Sequence, residues 1–217
     1  MLRPEAAWLA RTISTLPSTA FPLLDLGSST ASYRMNDQNF IDSDIFTPLL
    51  DAGHRVIHAD VKASAGVDIV MDFTRQEDRQ ALAESIGIGS VLCANMLEHL
   101  TIAPEESARY LLDLCRPGGY LFVTVPKTFR YHPDPIDNLY RPSADELANL
   151  FGNRVALLER ANVQDTLQIV HDIRRRGLWR YVASMLMPWR QRRIWWGKLS
   201  HSLQRIEIAC VFMQKVS

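Results

Sequence analysis

The sequence predicts a doubly wound α/β fold: a mostly parallel, seven-stranded sheet flanked by helices, formed by the 217-residue chain as one domain. Three observations carry this prediction. Short apolar runs alternate with amphipathic stretches of helical spacing from about residue 20 to residue 160. Several runs are apolar at nearly every position, as strands covered on both faces must be. Turn signals separate them, among them Gly27, Gly53 and the Arg116-Pro117-Gly118-Gly119 turn. With 47% hydrophobic and 22% charged residues, the composition excludes a disordered chain.

The elements follow in order. Phe21 to Leu26 is a first strand ending at Gly27. Ile45 to Ala52 has helical spacing and is closed by Gly53, which tolerates the left-handed conformation of a helix stop. Val56 to Ala59 and Val67 to Met71 are the second and third strands. Arg75 to Ile86 is a helix with Thr74 as its N-cap. Ser90 to Ala94 is the fourth strand, Pro104 to Cys115 a helix opened by proline, and Tyr120 to Val125 the fifth strand. Ser143 caps a helix running to Phe151. Val155 to Arg160 is a sixth strand and Ile206 to Met213 a seventh, about 45 residues later. Residues 165–205 are expected to be a helical insertion before that last strand.

Cys93, Cys115 and Cys210 lie far apart on apolar stretches and read as reduced, buried thiols, not as a disulfide framework or a zinc site. The N-terminal MLRPEAAWLARTIS carries Arg3, Glu5 and Arg11 where a secretory signal needs an apolar core. A cytoplasmic location is expected.

In an open parallel sheet, ligands sit outside the carboxyl ends of the strands, where the strand order reverses. Carboxylates end the first three strands: Asp25, two residues before Gly27, then Asp60, then Asp72 followed by Phe73. An acidic edge suits a ligand with hydroxyls and a positive charge and repels a diphosphate. The glycine-rich GxGxxG turn that cradles a pyrophosphate is missing, since Gly27 is followed by Ser28, Ser29 and Thr30. S-adenosylmethionine has no phosphate. It offers a ribose diol for Asp60, an adenine amine for Asp72 and a carboxylate end for the hydroxyls of Ser28, Ser29 and Thr30. The stretch between Gly27 and Asp60 is long, and residues 31–44 are expected to be an enlarged loop in which Arg34 pairs with the cofactor carboxylate.

Four segments together resemble a known family: LLDLGSST (Leu23 to Thr30), HADVKASAGVDIVMDFT (His58 to Thr74), VLCANMLEHL (Val91 to Leu100) and LLDLCRPGGYLFVTVP (Leu111 to Pro126). They look like class I S-adenosylmethionine-dependent methyltransferases of the broad small-molecule type, over roughly residues 20–160. The resemblance implies a Rossmann-like methyltransferase domain. It also implies cofactor contacts at Asp25, Gly27, Ser28, Asp60, Asp72, Phe73 and Asn95. The serines where the family carries further glycines leave open how the methionine end is held. Residue by residue, plainer roles stand beside these: Asp25 as a brace of the loop's backbone, Glu98 as an acid at a helix N-terminus.

The stretch after the fifth strand, Lys127 to Arg141, combines Pro133 and Pro135 (Pro142 lies next to it) with Arg130, Tyr131, His132, Asp134, Asp137 and Arg141. Stiffened polar loops beside a site recognise substrates, so Arg130, Tyr131, Asp134, Asp137 and Arg141 are expected to bind the acceptor. The segment YHPDPIDNLYRPS resembles, less specifically, the acceptor loop of methyltransferases found with glycan biosynthesis enzymes. An alcohol acceptor wants a general base, and His132 and His99 are the candidates. A divalent metal on His132, Asp134 and Asp137 would require the prolines to let those side chains converge, and no metal is assigned.

The chain has 24 basic and 24 acidic residues, which would ordinarily argue against polyanionic partners. The balance hides a separation. Residues 165–205 hold nine Lys and Arg against Asp165 and Asp172, a net +7 that leaves −7 elsewhere. The same stretch holds Trp179, Trp189, Trp195 and Trp196. Arginine and tryptophan on amphipathic helices suit an anionic membrane surface. They also suit a lid over an anionic substrate, a dimer interface or a helical cap on the sheet. Nucleic acid is not expected, because no stacking platform accompanies the charge. The expected activity is methyl transfer to a hydroxyl of a glycan or lipid-linked saccharide at the inner membrane face, as in polysaccharide biosynthesis. The alternatives are a lipophilic quinone or phenol acceptor, or a non-catalytic cofactor-fold subunit that binds a partner through the basic stretch.

Overall fold

The computed structural model describes residues 1–167, 170, 177–178 and 204–216. Seven strands form one sheet in the order β3-β2-β1-β4-β5-β7-β6. They are β1 (Leu23–Leu26), β2 (Val56–Asp60), β3 (Ile69–Val70), β4 (Ser90–Ala94), β5 (Tyr120–Thr128), β6 (Val155–Leu167) and β7 (Arg205–Lys215). The first five pair in parallel, and β7 runs antiparallel to both β5 and β6. The doubly wound, mostly parallel sheet expected from the sequence is therefore the fold.

Two apolar cores follow from the two-residue period of a strand. In β5, Leu121, Val123 and Val125 face one core with Leu82, Leu111, Leu114, Leu147 and Phe151. These come from α3 (Gln76–Ser85), α4 (Pro104–Leu114), α5 (Ala144–Asn149) and the turn that follows it. Phe122 faces the other core, with Phe212, Ile45, Phe46 and the residues Ala6, Leu9 and Ile13 of α1 (Arg3–Ile13). Both faces of β5 are thus covered, which is why its sequence shows no alternation. α5 starts as expected: Ser143 Oγ accepts from the Glu146 N–H while the Glu146 carboxylate accepts from Ser143 N. The three cysteines are buried and free.

Four local expectations change. The N-terminal segment, read only as lacking a signal, is the amphipathic helix α1, whose Trp8 and Arg11 bind Glu159 of β6 at 2.7 and 2.5 Å. Residues 31–44 are not a loop but mostly helical turns, with wide ones at Tyr33–Asp37 and Asp42–Phe46, the latter leading into α2 (Thr47–Asp51). Thr74 is not the N-cap of α3, because Asp72 Oδ1 accepts both its N–H and its hydroxyl and the helix starts after Arg75. Finally, β6 continues past Arg160 to Leu167 because β7 supplies cross-strand partners that far, Leu167 opposite Arg205. Residues 165–167 and Arg205, assigned to the helical insertion by sequence, therefore belong to a hairpin. Apart from these, 170, 177–178 and 204, the 165–205 stretch and the roles expected of it lie outside the described residues. No helix among the described residues is long and apolar enough to cross a membrane.

Candidate functional site

Strand order reverses between β1 and β4, and their carboxyl ends open onto a cavity of about 980 Å³. That space is at the upper end of what small-molecule sites occupy, enough for a nucleoside and a second reactant. The end of β1 builds one wall. Gly27 turns there at φ +76°, and a Cβ on it would lie 3.0 Å from Met96 Sδ. Glycine is therefore required both by conformation and by the close approach of Met96. Ser29 adopts φ +58°, and its N–H donates to Asp60 Oδ2 at 2.9 Å.

The three strand-end carboxylates all border the cavity. Asp25 Oδ2 lies 2.8 Å from His58 Nδ1, Asp60 also accepts from Lys62 N at 3.0 Å, and Asp72 braces Thr74. A carboxylate oxygen has two acceptor sites, so Asp60 and Asp72 retain capacity for ligand hydroxyls or amines. Ser28 and Phe73, both buried, border the same space. The donor set fits a hydroxyl-bearing cation and offers no phosphate cradle. Arg34 borders the cavity too, and its guanidinium is also tied to the backbone. Only 4% exposed, it donates through Nη1 to the Ser28 and Ser29 carbonyls and through Nη2 to Gly66 O, with Asp42 3.5 Å from Nε. It is spent largely on holding the turn from beneath.

Glu5 is the residue the sequence reading passed over. It is 0% exposed, borders the cavity, and accepts from Leu2 N at 3.0 Å, Asn95 Nδ2 at 2.7 Å and Thr124 Oγ1 at 2.6 Å. The bond to Asn95, itself at φ +50°, fixes that side chain at the end of β4. A signal was there: Pro4 opens a helix whose inward face, Ala6, Leu9 and Ile13, includes position 5. A carboxylate on the flank of such a face has to find partners.

Glu98, His99 and His132 also border the cavity and meet one another there. Glu98 Oε1 lies 3.8 Å from His99 Nε2 and 4.0 Å from His132 Nε2, and the two rings meet edge to face. Glu98 is 0% exposed and neither of its oxygens has a hydrogen-bond partner. Burial pushes its carboxyl up to about 8, only partly offset by the positive charge of Arg141. His99 Nδ1 is 2.6 Å from Ile136 O, and His132 Nδ1 is 3.0 Å from Arg130 O. A carbonyl can only accept, so each Nδ1 carries a proton, and in the neutral ring each Nε2 then presents a lone pair. Burial also lowers the His132 pKa, which favours the neutral ring.

Arg130, Tyr131 and Asp134 border the cavity as the sequence suggested. Asp137 and Arg141 do not. Asp137 is buried and accepts from His132 N, Leu139 N and Arg141 Nη2 at 2.9, 2.9 and 2.7 Å. Burial opposes its ionisation, but these donors prevail and hold its pKa at about 2. Both residues fasten the loop instead of facing an acceptor. They turn inward because the loop's backbone donors need an acceptor away from water.

No protein-family model and no curated protein matches this sequence. Solved structures match in fold. Coclaurine N-methyltransferase, bound to N-methylheliamine and SAH, is 16% identical with TM-score 0.57, covering 97% of this chain and 72% of its own. A Galdieria sulphuraria protein assigned as a sarcosine dimethylglycine methyltransferase is 12% identical with TM-score 0.56, over 97% and 85%. A Bacillus halodurans protein assigned as a methyltransferase is 13% identical with TM-score 0.53, over 96% and 97%. The fold is that of class I methyltransferases.

Proposed function

We propose that the chain is an S-adenosylmethionine-dependent methyltransferase whose acceptor is a hydroxyl, that of a glycan or lipid-linked saccharide. One observation carries the reading: three strand-end carboxylates surround the Gly27 turn in a cavity without a phosphate cradle. In this reading Asp60 holds the ribose diol, Asp72 the adenine amine, and the turn from Gly27 to Thr30 the methionine end. Phe73 packs at the nucleoside and Asn95 closes the end of β4. The fold likeness to solved methyltransferases adds support.

The cofactor supplies a methyl carbon already activated by the sulfonium charge. What is left to the chain is alignment, exclusion of water and removal of the acceptor's proton. A neutral imidazole with an outward lone pair suits the last task, which assigns it to His132 or His99. Arg130, Tyr131 and Asp134 offer donors and acceptors for sugar hydroxyls. Peripheral attachment to the inner membrane face through 165–205 is part of the proposal and rests on that segment's charge and tryptophans. A second reading, a lipophilic phenol or quinone acceptor, is favoured by Tyr131, Ile136 and Leu139, exposed on the same loop.

Calorimetry with S-adenosylhomocysteine tests the cofactor half. Wild type binds, and Asp60→Asn binds about tenfold to a hundredfold more weakly, the loss of one or two charge-assisted hydrogen bonds. No binding by folded wild type removes both enzyme readings and leaves a non-catalytic subunit. With a saccharide acceptor, His132→Ala loses about a hundredfold or more in kcat, and a phenol acceptor loses much less. Unchanged turnover in both His132→Ala and His99→Ala removes the proton-acceptor assignment.

A further inference from the structure

We infer that Glu98, His99 and His132 form a divalent-metal site of the zinc type at the acceptor end of the cavity. The reasoning starts from what each group can donate. His99 and His132 have their Nδ1–H groups committed to the carbonyls of Ile136 and Arg130, and Asp137 Oδ2 also lies 3.1 Å from His132 Nδ1. Their Nε2 lone pairs therefore both point away from those anchors and toward Glu98 Oε1, at 3.8 and 4.0 Å. With the Glu98 carboxyl ionised, the form a cation would hold, a carboxylate oxygen and two imidazole lone pairs face one another with no donor hydrogen among them.

At those separations no direct hydrogen bond joins the three. Water or an added proton could satisfy one or two of the acceptors, whereas a single cation satisfies all three. The candidate ligand atoms lie within 4.8 Å of one another, so a small contraction would bring all of them to metal-bonding distance. Glu98 supplies the independent sign: a wholly buried carboxylate with neither oxygen partnered, set against the cluster. The anchoring of each Nδ1 by a carbonyl or carboxylate is the outer-shell arrangement that orients metal-binding histidines.

Two nitrogens and one carboxylate oxygen suit zinc or a similar first-row divalent ion and leave coordination positions open toward the cavity. Resting on the methyltransferase reading, the ion's role follows. The acceptor oxygen occupies an open position, its O–H proton leaves to bulk water, and the oxygen stays on the metal as an alkoxide ready for the methyl carbon. The imidazoles then serve as ligands, and the metal does the work assigned to a base in the metal-free protein. Of the trio weighed in the sequence, His132, Asp134 and Asp137, only His132 is in this cluster, and its companions are Glu98 and His99.

The test uses tag-free full-length protein stripped with a chelator and titrated with Zn²⁺ by calorimetry, alongside Co²⁺ visible absorption. Wild type is expected to bind one tight equivalent, and Glu98→Gln, His99→Ala and His132→Ala each to weaken it about tenfold or more. Co²⁺ in wild type is expected to give the intense bands of a low-coordinate nitrogen site. Absence of tight Zn²⁺ binding in wild type overturns the inference, as does equal affinity in all three variants or a Co²⁺ spectrum like that of the hydrated ion. S-adenosylhomocysteine binding and thermal melting are run on every sample. If an alanine variant fails to fold, the near-isosteric Glu98→Gln and the wild-type Co²⁺ spectrum decide. Zinc binding without S-adenosylhomocysteine binding leaves the site standing and removes the methyltransferase reading. The converse result removes the site alone.

Discussion

Glu5→Ala is expected to be among the costliest single substitutions in this chain. The wild-type carboxylate is wholly buried and accepts three hydrogen bonds, from Leu2 N, Asn95 Nδ2 and Thr124 Oγ1. Bonds to an ionised group contribute about 1.5–3 kcal/mol each, but the three share one carboxylate and do not add. Leu2 N is only part-buried and Asn95 borders the cavity, so water can replace part of what those two lose. Thr124 is fully buried and is left with an unpaired hydroxyl, at about 1–3 kcal/mol. Adding a residual term for the other two bonds and the vacated volume gives a total of about 3–4 kcal/mol. Glu5→Gln keeps one acceptor oxygen and most of the volume and should cost about half as much. Urea unfolding followed by circular dichroism reads both, with an unchanged slope confirming that the unfolded states are alike. A Thr124→Val cycle isolates the shared term, expected at about 1–2 kcal/mol. A Glu5→Ala protein within about 0.5 kcal/mol of wild type would refute the argument that this carboxylate ties α1 to the end of β4 and the middle of β5.

Three further outcomes follow from other parts of the site. Gly27→Ala is expected to lose about 1–2 kcal/mol, from φ +76° and a Cβ only 3.0 Å from Met96 Sδ, and to weaken S-adenosylhomocysteine binding in the same titration; unchanged binding counts against the Gly27 turn as a cofactor wall. In metal-free protein, stability should fall as pH rises from about 4.5 to about 8, because the unfolded chain has released the Glu98 proton and the folded chain has not. Glu98→Gln should flatten that decline, and an equal slope in the variant would place its origin elsewhere. Asp137 acts in the opposite direction: its folded pKa of about 2 stabilises the protein above the ordinary value of 3.8, and that contribution is lost as pH falls toward 2. Asp137→Ala should remove this acid-side loss while costing about 2–3 kcal/mol at pH 7 from the unpaired Arg141 and loop amides, measured by the same unfolding series.

The sequence reveals most where one physical rule dominates. Buried parallel strands have to be apolar on both faces, so Ser90–Ala94 was legible to the residue. The strand-end carboxylates were legible as a group because topology puts every strand end on one rim. What sequence could not give is which neighbour each polar group meets. Arg34 lines the cavity yet donates to backbone carbonyls behind the turn, and Asp137, on a segment that borders the cavity, turns away from it to satisfy backbone amides. The wide helical turns within residues 31–44 carry no apolar period of 3.6, so that stretch reads as loop. The outer half of β6 alternates weakly and is polar, because an edge strand packs on one side only. Glu98 was visible as an acid beside a histidine, but its pairing with His132 depends on a loop arriving from the end of another strand.

The reversal of β7 against β5 has a consequence for how acceptor and cofactor ends can vary. Because β7 runs backward, its first residues lie beside the carboxyl end of β5: Glu207 faces Thr128 and pairs with Lys127 at 2.8 Å, and Ile208 reaches the cavity. Leu167 and Arg205 are cross-strand neighbours, so the chain between them leaves and rejoins the sheet at a single point. The hairpin is therefore a socket. A segment of another length or chemistry can be exchanged between those two residues while Asp25, Asp60 and Asp72 on the far strands keep their register.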